Sequence, residues 1–342
     1  MIISKNEVFV LLNHQIMRGI TEIPVMYPPL ESELFTLNLQ NMKIENLLSH
    51  REFERIRRKY AENGFLKREL PDPHDMLDIF ISSTVADFEN RDEIEENFDL
   101  LRRAVNEKTM YVKPVFIGID TNIAYYRVIS RRLKNHFKYA LSNIVVGEID
   151  AKIHSKYSGR EIRELSQLPY GKVMNEFVNG SVKESRKAKN AMNEIYHLTN
   201  RLDAFIIGKR SETLDKEVRD REIVRQYSKF SDEINAEVIL LTADKDMVFH
   251  AQAEQLSSIY FKLPHSYQDS YIIDPQSIPY LIYDLTLVFG IIKIGDDILL
   301  GEWRGKTSED YFNEKLKLYN TPEDVAKDLK ICRGVMNELQ GA

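Results

Sequence analysis

The sequence predicts an α/β protein: a parallel sheet flanked by helices at its centre, an N-terminal helical region before it, and a small C-terminal α+β domain containing a β-hairpin after it. Three observations predict this. From Tyr111 onward, short and nearly continuous apolar runs alternate with long amphipathic segments, as strands buried on both faces between crossover helices require. Helical periodicity prevails wherever periodicity is clear in residues 1–110. After Pro264, two apolar runs flank a Gly295-Asp296-Asp297 turn.

A chain of 342 residues exceeds the usual single-domain size, so three units are expected, at 1–110, 111–264 and 265–342. In the first, Ile94, Phe98, Leu101 and Val105 fall on one stripe of a helix whose other face is charged, while Pro71 and Pro73 mark a break. In the second, strands are expected at 115–119, 144–146, 238–241 and 258–262, with a polar and basic insertion over 156–220. In the third, 285–294 and 298–303 form the hairpin, a strand follows at 315–319, and Thr321-Pro322 opens a helix reaching 339.

Hydrophobic residues at 43% and charged residues at 29% place the chain among ordinary globular proteins of cytosolic composition, so a cytoplasmic location is expected. The single cysteine, Cys332, excludes an internal disulfide and a cysteine-based zinc site. No membrane partner is expected, because the longest apolar stretch, 278–292, is too short for a bilayer span and is broken by Asp284. A net charge of −6 argues against a generic pull toward polyanions, so any nucleic-acid site must be locally basic. The segment from Gly301 to Lys306 has three residues between its glycines, where a phosphate-binding loop needs four.

The chemistry-bearing feature is where the acids fall. Asp120 directly follows 115–119, Glu148 follows 144–146 by one glycine, and Asp244 follows 238–241 by Thr242 and Ala243. Carboxyl ends of parallel strands share one edge, so these acids are expected to converge there. Carboxylates held close together repel, and a divalent cation offsets them economically. All-oxygen ligation suits Mg²⁺ or Mn²⁺, whose natural chemistry is phosphodiester hydrolysis by metal-activated water. The competing explanation for each acid singly is a helix N-cap.

Four motifs occur in sequence: Asp120-Thr121-Asn122, Glu148-Ile149-Asp150, Asp220-Arg221-Glu222-Ile223, and Leu241-Thr242-Ala243-Asp244-Lys245-Asp246. In this order they resemble the PIN-domain nucleases over about residues 111–264. The resemblance implies a PIN-like parallel sheet and a Mg²⁺- or Mn²⁺-dependent endoribonuclease whose acidic quartet is Asp120, Glu148, Asp220 and Asp244. It makes Asp120, Asp220 and Asp244 metal ligands, Glu148 a ligand or water-positioning base, and Asp246 an auxiliary acid. Thr121 and Asn122 would hold Asp120 or contact phosphate, and Thr242 would act likewise. The long segment before Asp220 leaves Asp203 and Asp215 as alternatives for the third acid.

The implied partner is RNA, single-stranded or structured, with DNA a second substrate class and a homo-oligomer left open. Arg127, Arg131, Arg132, Lys134 and Lys138, interleaved with Tyr125, Tyr126, His136 and Phe137, form a candidate nucleic-acid groove together with Lys152, Lys156, Lys183, Arg186 and Lys187. Two other readings are a catalytically weak RNA- or protein-binding scaffold and a structure-specific DNA nuclease.

Overall fold

The computed structural model describes residues 1–341 apart from 62–63, 108–112, 134–136, 212 and 214. Tyr111, the expected start of the central domain, and Lys134 and His136 of the expected groove lie outside the described residues. Among the described residues the strands are β1 (Ile2–Ser4), β2 (Glu22–Tyr27), β3 (Ser32–Asn38), β4 (Lys43–Glu45), β5 (Val115–Ile119), β6 (Lys138–Ser142), β7 (Phe205–Ile207), β8 (Glu237–Thr242), β9 (Ser257–Tyr260), β10 (Tyr271–Ile272), β11 (Ile291–Ile294), β12 (Asp297–Leu300) and β13 (Lys315–Tyr319). They divide between two units, one of Asp87–His154 and Ala188–His265, the other of Met1–Ala86, Ser155–Lys187 and Ser266–Ala342.

The first of these units is built on a parallel sheet in the order β7-β6-β5-β8-β9. All five residues of β5 are buried, which explains why this run carries no alternation. Tyr227, on the helix Lys216–Glu233, ties the carboxyl ends of two strands together. Its hydroxyl donates to the Ile119 carbonyl (2.8 Å) and accepts from the N–H groups of Ile119 (3.2 Å) and Ser142 (3.1 Å). The ring lies so close to β5 that a Cβ on Gly118 would come within 2.7 Å of it. The helix Arg91–Glu107 buries Ile94, Phe98 and Leu101, as its stripe requires. Asn90, just before it, donates to the Tyr260 carbonyl and accepts from the Lys262 N–H, both at 2.9 Å, at the end of β9.

One strand expectation is corrected here. Residues 144–146 lie in the helix Asn143–Asp150, and the strand is the preceding Lys138–Ser142. The Ser142 hydroxyl accepts from the Ile144 N–H (3.2 Å), an N-cap that starts the helix where the β-branched triplet suggested extension. Glu148 is therefore presented by the second turn of a helix and not by a strand end.

The second unit holds an antiparallel sheet in the order β1-β13-β12-β11-β2-β3-β4-β10. This corrects the helical reading of residues 1–110: helices occupy much of 50–107, but four strands lie within the first 45 residues. Ile23, Val25 and Tyr27 alternate inward along β2, a period-2 pattern that Pro24 and the Pro28-Pro29 pair obscure. Because β2 pairs with β11, the expected N- and C-terminal domains share one sheet. The hairpin forms between β11 and β12, but 285–289 belong to the helix Ser277–Phe289, which ends at Gly290 with φ of +81°. The expected strand at 315–319 is β13, and the terminal helix runs over Glu323–Gly341. Among the described residues no helix is long and apolar enough to cross a membrane.

Candidate functional site

Asp120 is the first residue beyond β5, and its N–H donates to the Leu241 carbonyl of β8 (3.1 Å). Its Oδ1 caps the helix Thr121–Tyr125 by accepting from the Ile123 N–H (2.8 Å), and its Oδ2 accepts from the Thr242 hydroxyl (2.5 Å). The side chain is thus both a cap and a fixed carboxylate. At 3% exposure it is deeply buried. Burial is the largest influence and pushes its pKa up to about 6; nearby Asp244 adds to the rise, while the Thr242 and Ile123 hydrogen bonds oppose it.

Glu148 is held at both oxygens. Oε1 accepts from Arg219 Nε (2.7 Å) and Oε2 from the Thr121 hydroxyl, so Thr121 orients Glu148. Asp220 lies near the start of the helix Lys216–Glu233, where burial, then Asp244 and Glu148, raise its pKa against the opposing charge of Lys216. Asp244 caps the helix Lys245–Ala253 by accepting from the Asp246 N–H at Oδ1 (2.9 Å), and its Oδ2 accepts from Lys216 Nζ (3.0 Å). Burial acts to raise this carboxyl, but the Lys216 and backbone hydrogen bonds outweigh it and hold the pKa below the usual carboxylate range.

These acids come from separate elements and line one cavity of about 340 Å³ with Thr121, Asn122, Lys152, Lys216 and Arg219. The third acid of the cavity is Asp220. Asp215 is exposed and caps its helix through the Val218 N–H (3.3 Å), and Asp203 sits exposed just after the helix Lys183–Arg201 with φ of +51°. Asp246 is exposed and outside the cavity lining, so its part here is the backbone N–H.

Among the described residues no three acids, histidines or cysteines are drawn together as a ready-made metal cage. Asp220 and Asp244 are paired with Lys216, and Glu148 with Arg219. Their chemistry nevertheless fits a hard divalent cation: the acidic donors are carboxylate oxygens, they converge on one cavity, and two of them have raised proton affinities that such a charge would relieve.

The expected basic groove is largely corrected. Arg127 is buried and donates to Glu194 (3.2 Å) and the Asn190 side chain (3.0 Å). Arg132 bonds Asp87 and lies over the Phe88 ring, and Arg131 is half-buried at the end of the short helix Val128–Arg131. Lys183, Arg186 and Lys187 belong to the other unit. There Lys183 and Lys187 pair with buried Asp75 at 2.6 and 2.9 Å, and Arg186 donates to Glu69 (3.1 Å) and the Leu287 carbonyl (2.7 Å). These cations neutralise interior acids, which a count of surface-type residues does not reveal. Of the expected groove, Lys152 lines the cavity.

Sequence reasoning missed Lys216 and Arg219. The signal was present, because Lys216, Arg219, Asp220 and Ile223 recur at i, i+3, i+4 and i+7 and all four line the cavity.

Compared with known proteins, residues 117–262 match the family model described as PIN domain, an interval that contains all four acids. No curated protein matches the chain significantly. PIN domains are generally nucleases, commonly metal-dependent ribonucleases, and typically use divalent metals such as Mg²⁺ or Mn²⁺. The matched interval lies on the parallel sheet flanked by helices, so residues 117–262, the central region of this chain, are what resembles the PIN-domain family.

Proposed function

We propose that this region is a divalent-metal-dependent endonuclease that hydrolyses RNA. The observation that carries the reading is the single cavity lined by Asp120, Glu148, Asp220 and Asp244, four acids from four separate elements. Asp120, Asp220 and Asp244 would hold Mg²⁺ or Mn²⁺, and such an ion supplies activation of water and neutralisation of charge on the scissile phosphate. The chain's own residues prepare the site. Thr242 and the Ile123 N–H fix Asp120, while Arg219 and Thr121 fix Glu148, where a carboxylate can orient a water or receive its proton. Lys152, exposed at the cavity wall, is placed to meet a phosphate of the bound strand.

The test is cleavage of single-stranded RNA, single-stranded DNA and forked DNA in parallel. Asp120→Asn and Asp244→Asn should each reduce metal-stimulated RNA cleavage by at least about 10²-fold while the circular dichroism spectrum is retained. Full activity in either variant, or undiminished cleavage in EDTA, contradicts the reading. Preferential cutting of forked DNA would transfer the activity to the DNA class. One observation favours a second reading, a nucleic-acid-binding scaffold: Asp220, Asp244 and Glu148 already have cationic partners from the chain itself in Lys216 and Arg219. That reading predicts salt-sensitive RNA binding with no Mn²⁺ uptake.

A further inference from the structure

Lys216 is the first residue of its helix and lies one turn before Asp220. Its Nζ is 3.0 Å from Asp244 and 3.8 Å from Asp220, so one ammonium serves two acids of the cavity from different elements. The lysine side chain is 70% exposed, whereas those of Asp220 and Asp244 are 14% and 19% exposed. The cation is therefore the solvent-facing partner of the pair. Ion pairs of this kind are weak, because a long side chain loses rotamer freedom and water competes for both charges. Arg219 differs: at 24% exposure, its guanidinium holds Glu148 (2.7 Å) and also the Thr213 carbonyl (3.3 Å).

A divalent ion brings twice the charge of an ammonium and takes carboxylate oxygens at closer range. Lys216 and such an ion would seek the same oxygens of Asp220 and Asp244. The lysine, tethered at Cα and largely in solvent, can leave them without disturbing the helix. Resting on the metal-dependent reading above, we propose that Lys216 is an exchangeable counter-cation, neutralising Asp220 and Asp244 until a divalent ion takes their oxygens. It thereby sets the ion concentration at which the site fills. Without it, the uncompensated acids would repel in the ion-free protein and bind the ion more tightly.

The experiment is a Mn²⁺ titration of the full chain, read from the electron paramagnetic resonance signal of free Mn²⁺. It compares the parent with Lys216→Met, Lys216→Arg, Lys152→Met and Asp244→Asn. Lys152 lines the same cavity, where its ammonium lies over the Tyr125 ring (5.6 Å) and not on a carboxylate, so its variant removes an equal charge that does not compete for the acids' oxygens. Lys216→Met should bind Mn²⁺ roughly fivefold more tightly than the parent, Lys216→Arg within about twofold of it, and Lys152→Met with a clearly smaller gain than Lys216→Met. Unchanged or weaker binding in Lys216→Met overturns the proposal, as does an equal gain in Lys152→Met or in Lys216→Arg. If the parent binds and Asp244→Asn does not, the metal reading stands whatever Lys216 does. If the parent takes up no Mn²⁺, both fall together.

Discussion

Asp120 has three ties in the described structure: it accepts from Ile123 and from Thr242, and its N–H joins β5 to β8. Its raised carboxyl, at about 6 against an ordinary 3.8, means that the folded chain keeps a proton which the unfolded chain has released. Stability attributable to this group is therefore fully present below about pH 4, is lost as pH rises from there through about 6, and stays reduced above it. Asp120→Asn should accordingly be more stable than the parent at pH 7.5, by on the order of 1–3 kcal/mol, with the difference shrinking as pH falls from about 6 to about 4. Urea melts at the two pH values check this, and an asparagine variant no more stable at pH 7.5 would contradict it. Arg219→Ala, which frees one oxygen of Glu148, should lower kcat for RNA about tenfold or more with a smaller change in KM. The acids were legible in the sequence because they stand directly beside apolar runs. The cations were not, since an arginine that neutralises a buried glutamate and one that meets a phosphate look alike until the fold supplies the partner, as Arg127 with Glu194 shows.

Among the elements, β5 and β8 were readable because burial on both faces leaves continuous apolar runs with acids at their ends. The segment 144–146 was not, because one serine at 142 decides between strand and helix through its cap. β2 was hidden for another reason, because Pro24 and the Pro28-Pro29 pair obscure its alternation. What the apolar pattern also hides is the close approach of Tyr227 to Gly118, which requires a residue without a side chain near the carboxyl end of a buried strand. Gly118→Ala should destabilise the chain by roughly 1–3 kcal/mol through overpacking. Tyr227→Phe leaves the N–H groups of Ile119 and Ser142 without their hydroxyl acceptor and should cost about as much. Thermal melts of both variants read the effect, and two unperturbed transitions would remove Tyr227 from its place as the tie between β5 and β6.

The two units are each assembled from segments distant in the chain, which no local pattern announces. The antiparallel sheet takes β1–β4 from the N-terminal segment and β10–β13 from the C-terminal one, and the Met1 ammonium donates to the Leu318 carbonyl (2.8 Å). The unit of the parallel sheet in turn begins at Asp87, and its helix Arg91–Glu107 buries Ile94, Phe98 and Leu101. A fragment of residues 111–264 lacks that helix and carries 155–187, which belong to the other unit. It should show reduced unfolding cooperativity and bind a hydrophobic dye, whereas the full chain should not. A fragment as cooperative as the intact protein would show the helix to be dispensable.

The most direct measurement is an anomalous difference map from a crystal of the full chain soaked in Mn²⁺. The predicted result is a peak in the cavity within about 2.0–2.3 Å of carboxylate oxygens of Asp120 and at least one of Asp220 and Asp244, with Lys216 turned away. A fully soaked crystal with no peak in that cavity, or with Lys216 still paired to both acids beside an ion bound elsewhere, would contradict the assignment of these acids as a metal site.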